Sequence, residues 1–461
     1  MLSGKPCRKN KKSDSAFAES FFMQKRLKME DFGLIIRIYY ILTFFVYSSK
    51  IMLNNVLIRI KGVIMLTVVK SALVQGIFFN TIRKRIDAAL GKLTRKIVYR
   101  RGKVVDNKLF VMTFDNDYTC NAKYIVDEII RQKLPIDIVW AGNKKTMKSD
   151  HFPPEVRVVR RTSFEMYEEQ ASAKIWMDNA LNCLWYDMPK KKDQVYINTW
   201  HGSMGIKKLQ GNDKWMSYAK KCKKNTDFVI ANSTFEEDVY TDTFWPGVPV
   251  WKCGHARNDI LFEKDAQAKL REEVAAFFEV DTDKKLLLYA PTFRDTGDVS
   301  CYNIDYAALK ESLEKKYGGE WIILVRMHYK NRTGAAAFTP NEWLKDAGVY
   351  PDMQKLLTVA DFGITDYSSW AYDYILTRRP MILYAPDAEL YASGRGLYYP
   401  LEETPFPIAC DNAELNEAVL NFDEVKYQPD IDRFLEARGC YEKGTAAKQI
   451  VENIKQIMNI N

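Results

Sequence analysis

The sequence holds only four histidines, at 151, 201, 255 and 328, and no HExxH or histidine–carboxylate cluster. It therefore offers no recognisable ligand set for a metal, and nothing in it calls for a bound cofactor. Its eight cysteines, at 7, 120, 183, 222, 253, 301, 410 and 440, are scattered singly with no CxxC pair. That spacing suggests neither a zinc cluster nor a disulfide framework, and reduced cytosolic thiols are the simpler expectation. The apolar stretch at 34–47 has an uninterrupted part, Ile38 to Tyr47, of only ten residues, about half of the ~20 that span a bilayer. It also starts too late, and lacks the small-residue cleavage site, for a signal peptide. No repeat of solenoid period occurs. Acidic residues are scarce at the start: residues 1–103 hold 22 Lys+Arg against 5 Asp+Glu, a balance of +17, which leaves 46 against 54, or −8, in the remainder.

What is present is the material of a globular protein. With 461 residues, 47% hydrophobic, 28% charged and 13% aromatic, the chain has enough apolar surface to build two or three domains. Residues 1–30 are polar and basic and read as disordered, and Met65 is a plausible alternative start that would make residues 1–64 an extension. From 77 to 103 the pattern sharpens. Ile82, Ile86, Leu90, Leu93 and Ile97 recur at helical steps, while Arg83, Lys84, Arg85, Lys92, Arg95, Lys96, Arg100 and Arg101 cover the other face. A basic amphipathic helix of this kind suits an anionic membrane surface, where each Lys or Arg contributes about 1 kcal/mol. The alternative is a helix packed on the body with a solvated basic face.

Beyond residue 105 the pattern is repetitively α/β. Strands are expected at Leu109–Phe114, Ile136–Ala141, Arg157–Val159, Ile175–Met177, Val195–Thr199 and Phe228–Ala231, with helices such as Asn121–Arg131 and Ser163–Ala173 between them. After a charged helical stretch at Glu263–Val280 the series restarts with Leu286–Tyr289, Trp321–Val325, Phe362–Ile364 and Met381–Tyr384. Helices are expected at Tyr306–Lys316 and Trp370–Leu376, and a last one at Tyr441–Met458. Short, mostly non-alternating apolar strands separated by helices imply buried parallel sheets. The expected organisation is a basic region over 1–104 and two doubly wound domains, 105–262 and 263–461, facing each other across a cleft.

Ligands of parallel sheets bind beyond the carboxyl ends of the strands. Val195–Thr199 runs into Trp200-His201-Gly202-Ser203, Leu286–Tyr289 into Ala290-Pro291-Thr292-Phe293-Arg294-Asp295, and Trp321–Val325 into Arg326-Met327-His328. Phe362–Ile364 runs into Thr365-Asp366-Tyr367-Ser368-Ser369. Two of the four histidines thus end strands, one in each domain, whereas His151 and His255 read as structural. Ser368 and Ser369 open the helix of a βαβ unit, where a serine serves either as an N-cap or as a phosphate donor.

In one order, the chain carries TWHG (199–202) followed by Lys207-Lys208, then Arg257-Asn258-Asp259-Ile260-Leu261, YAPTFRD (289–295) and RMH (326–328). ITDYSSWAYDYILTRRPMILYAPD (364–387) and RGLYYPLEETPFP (395–407) follow. Together, from about Asp115 to Asp411, these motifs resemble the CDP-glycerol glycerophosphotransferase family of teichoic acid synthesis. Two departures stand out: Ser203-Met204 replaces the family's frequent Thr-Pro after the His-Gly, and Ala256, preceded by His255, replaces a frequent proline before Arg257-Asn258-Asp259. The resemblance implies a GT-B-like fold of two Rossmann-like domains, the second binding the nucleotide, attached peripherally to the cytoplasmic face of the cell membrane. It implies transfer of an alcohol phosphate from CDP-glycerol or a similar CDP-alcohol to a hydroxyl of a lipid-linked glycan or polyol-phosphate acceptor, releasing CMP. His201 then serves as base, with Trp200, Gly202, Lys207 and Lys208 on the acceptor side. His328 and Arg326 meet the breaking pyrophosphate, and Arg294, Thr365, Asp366, Ser368, Ser369 and Asp373 hold the donor. Asp366 is equally readable as a turn residue, Asp373 as a solvated helix position, and the lysine pair as surface. Other readings are a GT-B glycosyltransferase or epimerase, which would release sugar from a UDP-sugar without CMP, and a nucleic-acid-binding protein using the basic arm. Against the last, the basic residues accompany an apolar stripe and the body lacks a basic motif with interleaved aromatics.

Overall fold

In the computed structural model the described residues are 91, 94–181, 188–203, 205–208, 217, 219, 220, 222–294, 300–327 and 338–460. The readings of residues 1–30 and 1–64, most of the 77–103 stripe, and His328 lie outside them. Of the stripe, 94–101 is helical, with Val98 buried. No helix among the described residues is long and apolar enough to cross a membrane.

Two all-parallel sheets carry the fold. The first comprises β1 (Val105–Met112), β2 (Asp137–Gly142), β3 (Val156–Arg160), β4 (Ala173–Asp178), β5 (Val195–Asn198), β6 (Phe228–Ala231) and β7 (Val250–Lys252), in the order β3-β2-β1-β4-β5-β6-β7. The second comprises β8 (Lys285–Tyr289), β9 (Trp321–Val325), β10 (Leu344–Asp346), β11 (Phe362–Thr365), β12 (Met381–Tyr384) and β13 (Ile408–Ala409), in the order β10-β9-β8-β11-β12-β13. This is the expected pair of doubly wound parallel sheets. In each the strand order reverses once, between β1 and β4 and between β8 and β11, and such reversals open a crevice at the carboxyl edge.

The absence of alternation in the strands has a direct packing cause. Along β1, Phe110 and Met112 enter one apolar cluster while Leu109 and Val111 enter another on the opposite face. Both faces are covered over Leu109–Met112, so these four consecutive positions are all apolar. Helices α1 (Cys120–Arg131), α2 (Phe164–Ser172), α3 (Thr234–Thr243) and α4 (Lys264–Phe278) belong to the first half and its exit. Ser163 caps α2, its hydroxyl accepting from Met166 N at 3.0 Å. The second half adds α5 (Tyr306–Tyr317), α6 (Met353–Val359), α7 (Ala371–Tyr374), α8 (Ala388–Gly394), α9 (Asn412–Leu420), α10 (Glu424–Ala437) and α11 (Ala446–Met458).

Helix α11 returns to the first sheet. Ile450, Val451, Ile454 and Met458, spaced at helical steps, pack with Leu109, Val111, Ile125 and Ile129. Each fully buried aliphatic side chain there contributes about 1.5–3 kcal/mol. No side chain of its own N-cap, Thr445, caps the helix. Instead Asp259 accepts from Ala446 N at 2.9 Å and Ala447 N at 2.7 Å.

Candidate active site

The turn after β5 is built to present His201 at the carboxyl edge. Trp200 takes a left-handed conformation (φ 49°), unfavourable by about 1–2 kcal/mol for a residue with a side chain. Its amide donates to Asn198 Oδ1 at 2.9 Å, while Asn121 Nδ2 on α1 donates to the carbonyls of Thr199 (2.9 Å) and Trp200 (3.2 Å). The Trp200 ring is buried among Tyr240, Phe244 and Trp245 and forms the floor on which His201 rests, with ring centroids 4.5 Å apart. Phe114, which follows β1 and is 51% exposed, also packs against His201, with ring centroids 5.0 Å apart.

The hydrogen bond of His201 fixes its tautomer. Nδ1 lies 2.6 Å from the carbonyl oxygen of Asn179, just past β4. A carbonyl only accepts, so Nδ1 carries the proton and the lone pair of Nε2 is free to accept one. Burial lowers the imidazole to about 4; the Asn179 carbonyl opposes this, and the charges of Arg257 and Lys207 add to the lowering. His201 is therefore neutral, and in its basic form, throughout the physiological range.

Across from it lies the carboxyl edge of the second sheet. Ser368 and Ser369 sit half-buried in the turn after β11. The helix they precede is a single turn, α7, continued by a 3₁₀ turn at Ile375–Thr377, and its N-cap is Trp370 with no side-chain cap bond. The serines are thus not caps, and among the described residues neither hydroxyl has a hydrogen-bond partner. The loop after His201 approaches them closely. A Cβ on Gly205 would stand 3.4 Å from Ser369 Cβ, and one on Gly202 would stand 4.0 Å from Ser369 Oγ. Next to this approach Lys207 forms an antiparallel bridge with Leu397, Lys208 N donates to Gly396 O (3.1 Å) and Tyr398 N to Ile206 O (2.8 Å).

The other donor-side residues named from the sequence are occupied by the protein itself. Arg294 is buried and forks onto Asp387 at 2.6 and 2.9 Å, while its Nη1 donates to Asp366 (2.7 Å) and to Thr292 O (2.7 Å). Its guanidinium also lies over the rings of Tyr367 and Tyr391, 5.0 Å from each. Asp366 accepts from the amides of Thr292 (2.8 Å) and Tyr367 (2.6 Å), the turn use weighed above. Thr365 Oγ1 donates to Ala290 O (2.7 Å), and Arg326 Nη1 donates to the carbonyls of Ala347 and Tyr350.

Asp373 is neither solvated nor open to a donor hydroxyl. It is 2% exposed and meets Arg257 Nη2 (2.9 Å), Asn258 Nδ2 (2.9 Å) and the hydroxyl of Ser203. This buried polar cluster is the feature that sequence reasoning left out of the site. Arg257, Asn258 and Asp259 were visible only as a motif; each turns out to tie distant segments together. Asn258 also bonds Glu442 (2.8 Å) and Gln354 (2.9 Å). His255 adds Nδ1 at 3.3 Å from Ser203 Oγ and Nε2 at 3.0 Å from Glu236, so the two departures from the family pattern meet at one spot.

The cluster predicts a pH dependence of stability. Burial pushes the Glu442 carboxyl up to about 7. Burial opposes protonation of His255, yet the adjacent Glu236 carboxylate outweighs it and raises the imidazole above its usual value. Both groups hold protons that the unfolded chain has released, so stability falls as pH rises through their folded values. His201, lowered to about 4, has the opposite sign, but only below its unfolded value near 6.5. Above pH 6.5 the slopes of Glu442 and His255 stand without that opposition. The protein should melt at a lower temperature at pH 8 than at pH 6.5, and E442Q should reduce the difference. Equal melting temperatures for the wild type at the two pH values would contradict this.

Comparison with known proteins converges on one family. Residues 95–456 match the family described as CDP-glycerol:poly(glycerophosphate) glycerophosphotransferase. The chain is 28% identical over 386 residues to the teichoic acid poly(glycerol phosphate) polymerase of Staphylococcus epidermidis, an alignment covering 80% of this chain and 52% of that protein. It is 28% identical over 359 residues to the corresponding polymerase of Bacillus spizizenii, covering 73% and 89%. The chain thus spans about half the length of the first relative. Among solved structures, the wall teichoic acid polymerase TagF, in a histidine-to-alanine variant, superposes with a TM-score of 0.71 at 27% identity, covering 83% of this chain and 98% of that one. A histidine-to-asparagine variant of TagF soaked with CDPG gives 0.70 at 26% identity, with the same coverage. The chain belongs to the CDP-glycerol:poly(glycerophosphate) glycerophosphotransferase family.

Proposed function

We propose that this protein transfers glycerol phosphate, or a related alcohol phosphate, from a CDP-alcohol to a hydroxyl of a lipid-linked glycan or polyol-phosphate acceptor, releasing CMP. The observation that carries the proposal is His201: a neutral imidazole with Nδ1 committed to Asn179 and Nε2 without a hydrogen-bond partner among the described residues, on a loop packed against Ser369. Nε2 takes the proton of the acceptor hydroxyl as its oxygen attacks the phosphorus of the glycerol phosphate. The P–O bond to CMP breaks, and its electron pair leaves with the CMP phosphate. Ser368 and Ser369 donate hydrogen bonds to the donor phosphates, and His328, directly after Arg326-Met327, supplies positive charge to the pyrophosphate. Arg294, Asp366, Thr365, Arg326 and Asp373 shape the edge on which this happens. Lys207 and Lys208, beside the loop, suit an acceptor phosphate, and the exposed ring of Phe114 is the surface an acceptor meets next to His201. The basic residues up to Lys103 favour work at an anionic membrane, on its cytoplasmic face where the nucleotide donor is found.

The reading is tested by offering the purified protein CDP-glycerol, CDP-ribitol and several UDP-sugars with a lipid-linked acceptor and following nucleotide release. CMP is the expected product; sugar release from a UDP-sugar with none from CDP-glycerol would overturn it. In the same assay S368A/S369A should raise the donor KM at least about tenfold, because a hydrogen bond to a charged group contributes about 1.5–3 kcal/mol. An unchanged donor KM would remove the serines from the site.

A further inference from the structure

We propose that Arg257 is the positioning residue of His201, its guanidinium fork fastening the turn that bears the base to Asp373 on the helix beyond Ser368 and Ser369, so that the base and the donor-side hydroxyls are held in one register. The inference rests on the reading of His201 as the base.

Arg257 stands in a 3₁₀ segment, Ala256–Phe262, and is 7% exposed. Its nitrogens reach three segments at once, one of them through Cys120 Sγ, 3.7 Å from Nη1. Nη1 donates to the His201 carbonyl at 2.5 Å; Nη2 donates to Ser203 Oγ at 3.1 Å and lies 2.9 Å from Asp373 Oδ2. The remaining Asp373 oxygen accepts from Asn258 Nδ2 and from the same Ser203 hydroxyl. The Arg257 amide in turn donates to Asn121 Oδ1 (3.2 Å), and Asn121 Nδ2 holds the Thr199 and Trp200 carbonyls. The strained turn at 199–201 is therefore gripped at its start through Asn121 and at its end through Arg257.

Asp373 lies four positions after Ser369, and the same fork meets both segments, bracing the separation of His201 from the serines alongside the direct bond of the Ser203 hydroxyl to Asp373. A planar fork with fixed directions can do this, whereas a lysine ammonium offers a point charge without the geometry. The charge has a second effect, since Arg257, with Lys207 and His255, disfavours protonation of His201, while the Asn179 carbonyl favours it. The two rings packed against the imidazole, Phe114 and Trp200, carry no charge.

Position and charge are separable by two variants. R257K keeps the charge and loses the fork. R257Q/D373N replaces the ion pair by two amides of similar size, leaving no buried charge unpaired. Each is first checked by its melting curve, then by NMR titration of the His201 ring, assignable among only four histidines, and by CMP release. Titration near pH 4 should persist in R257K and shift upward in R257Q/D373N. Both should lose about 10²-fold in kcat, the cost typical of a misplacement near 1 Å, with the donor KM unchanged. A folded R257K or R257Q/D373N turning over at the wild-type rate would overturn the proposal. Absence of CMP release from the wild type would instead defeat the functional reading, and the histidine titration would still report whether Arg257 acts on His201.

Discussion

Replacing His201 by alanine is expected to lower CMP release by about 10³-fold, within the 10²–10⁴ that general base catalysis contributes, while the protein stays folded. The magnitude follows from the absence of a substitute among the described residues of the loop: Trp200 is committed to packing, Gly202 has no side chain, and Ser203 is buried against Asp373 and Arg257. The fold should survive because the turn is held by backbone carbonyls and amides bonded to Asn121, Asn198 and Arg257, none of which needs the imidazole. The wild-type pH profile provides a second check. With His201 lowered to about 4, kcat/KM should show no acid limb from this group between pH 6 and 8. H201A with near-normal CMP release would refute its role, and a wild-type profile falling steeply below pH 6.5 because of His201 would contradict its lowered titration.

Arg294→Ala should be the most destabilising single change on the donor side. Its loss leaves Asp366 (3% exposed) and the partly buried Asp387 without the cation between them, and breaking a buried pair in this way costs about 3–5 kcal/mol. At Asp387 burial favours the neutral acid, and it is Arg294 that overturns this and holds the carboxyl below its usual value. Three tyrosines gather round the same guanidinium, Tyr302, Tyr367 and Tyr391, so the truncation also opens a cavity between aromatic rings. R294K should recover only part of the loss, because an ammonium cannot reproduce the fork onto Asp387 together with the bond to Asp366. Urea unfolding measures the difference. An R294A midpoint equal to that of the wild type, with donor KM raised instead, would show a ligand role in place of this keystone role.

These two arginines mark what could be read in the sequence and what could not. Sheets and strand ends were legible because burial on two faces forces continuous apolar runs, as in WIILV at 321–325, where all five residues are buried. The placement of His201 at a strand end was legible because it follows such a run, β5. The fate of the polar residues was not, since it depends on partners remote in sequence: Arg257 meets a carbonyl 56 positions away, Asn258 a carboxylate 115 away, and Asp259 an amide 187 away. Arg294 and Asp373 looked like ligand groups for the same reason, as a sequence shows a charge but not the opposite charge that folds onto it. Edge strands β7, β10 and β13 have only two or three residues, too few to show any periodicity.

The return of α11 to the first sheet bears on how the molecule can be made. During synthesis the strands of that sheet emerge first, yet the face bearing Leu109 and Val111 lacks part of its cover until residues 446–458 have followed some two hundred positions after β7. The earliest half must wait, partly greasy, for the latest helix, and a ribosome stall or a proteolytic cut anywhere in between strands it. Dissection into two separately expressed halves would fail for the same reason. A circular permutant placing 446–458 ahead of β1 would bring cover and sheet out of the ribosome together.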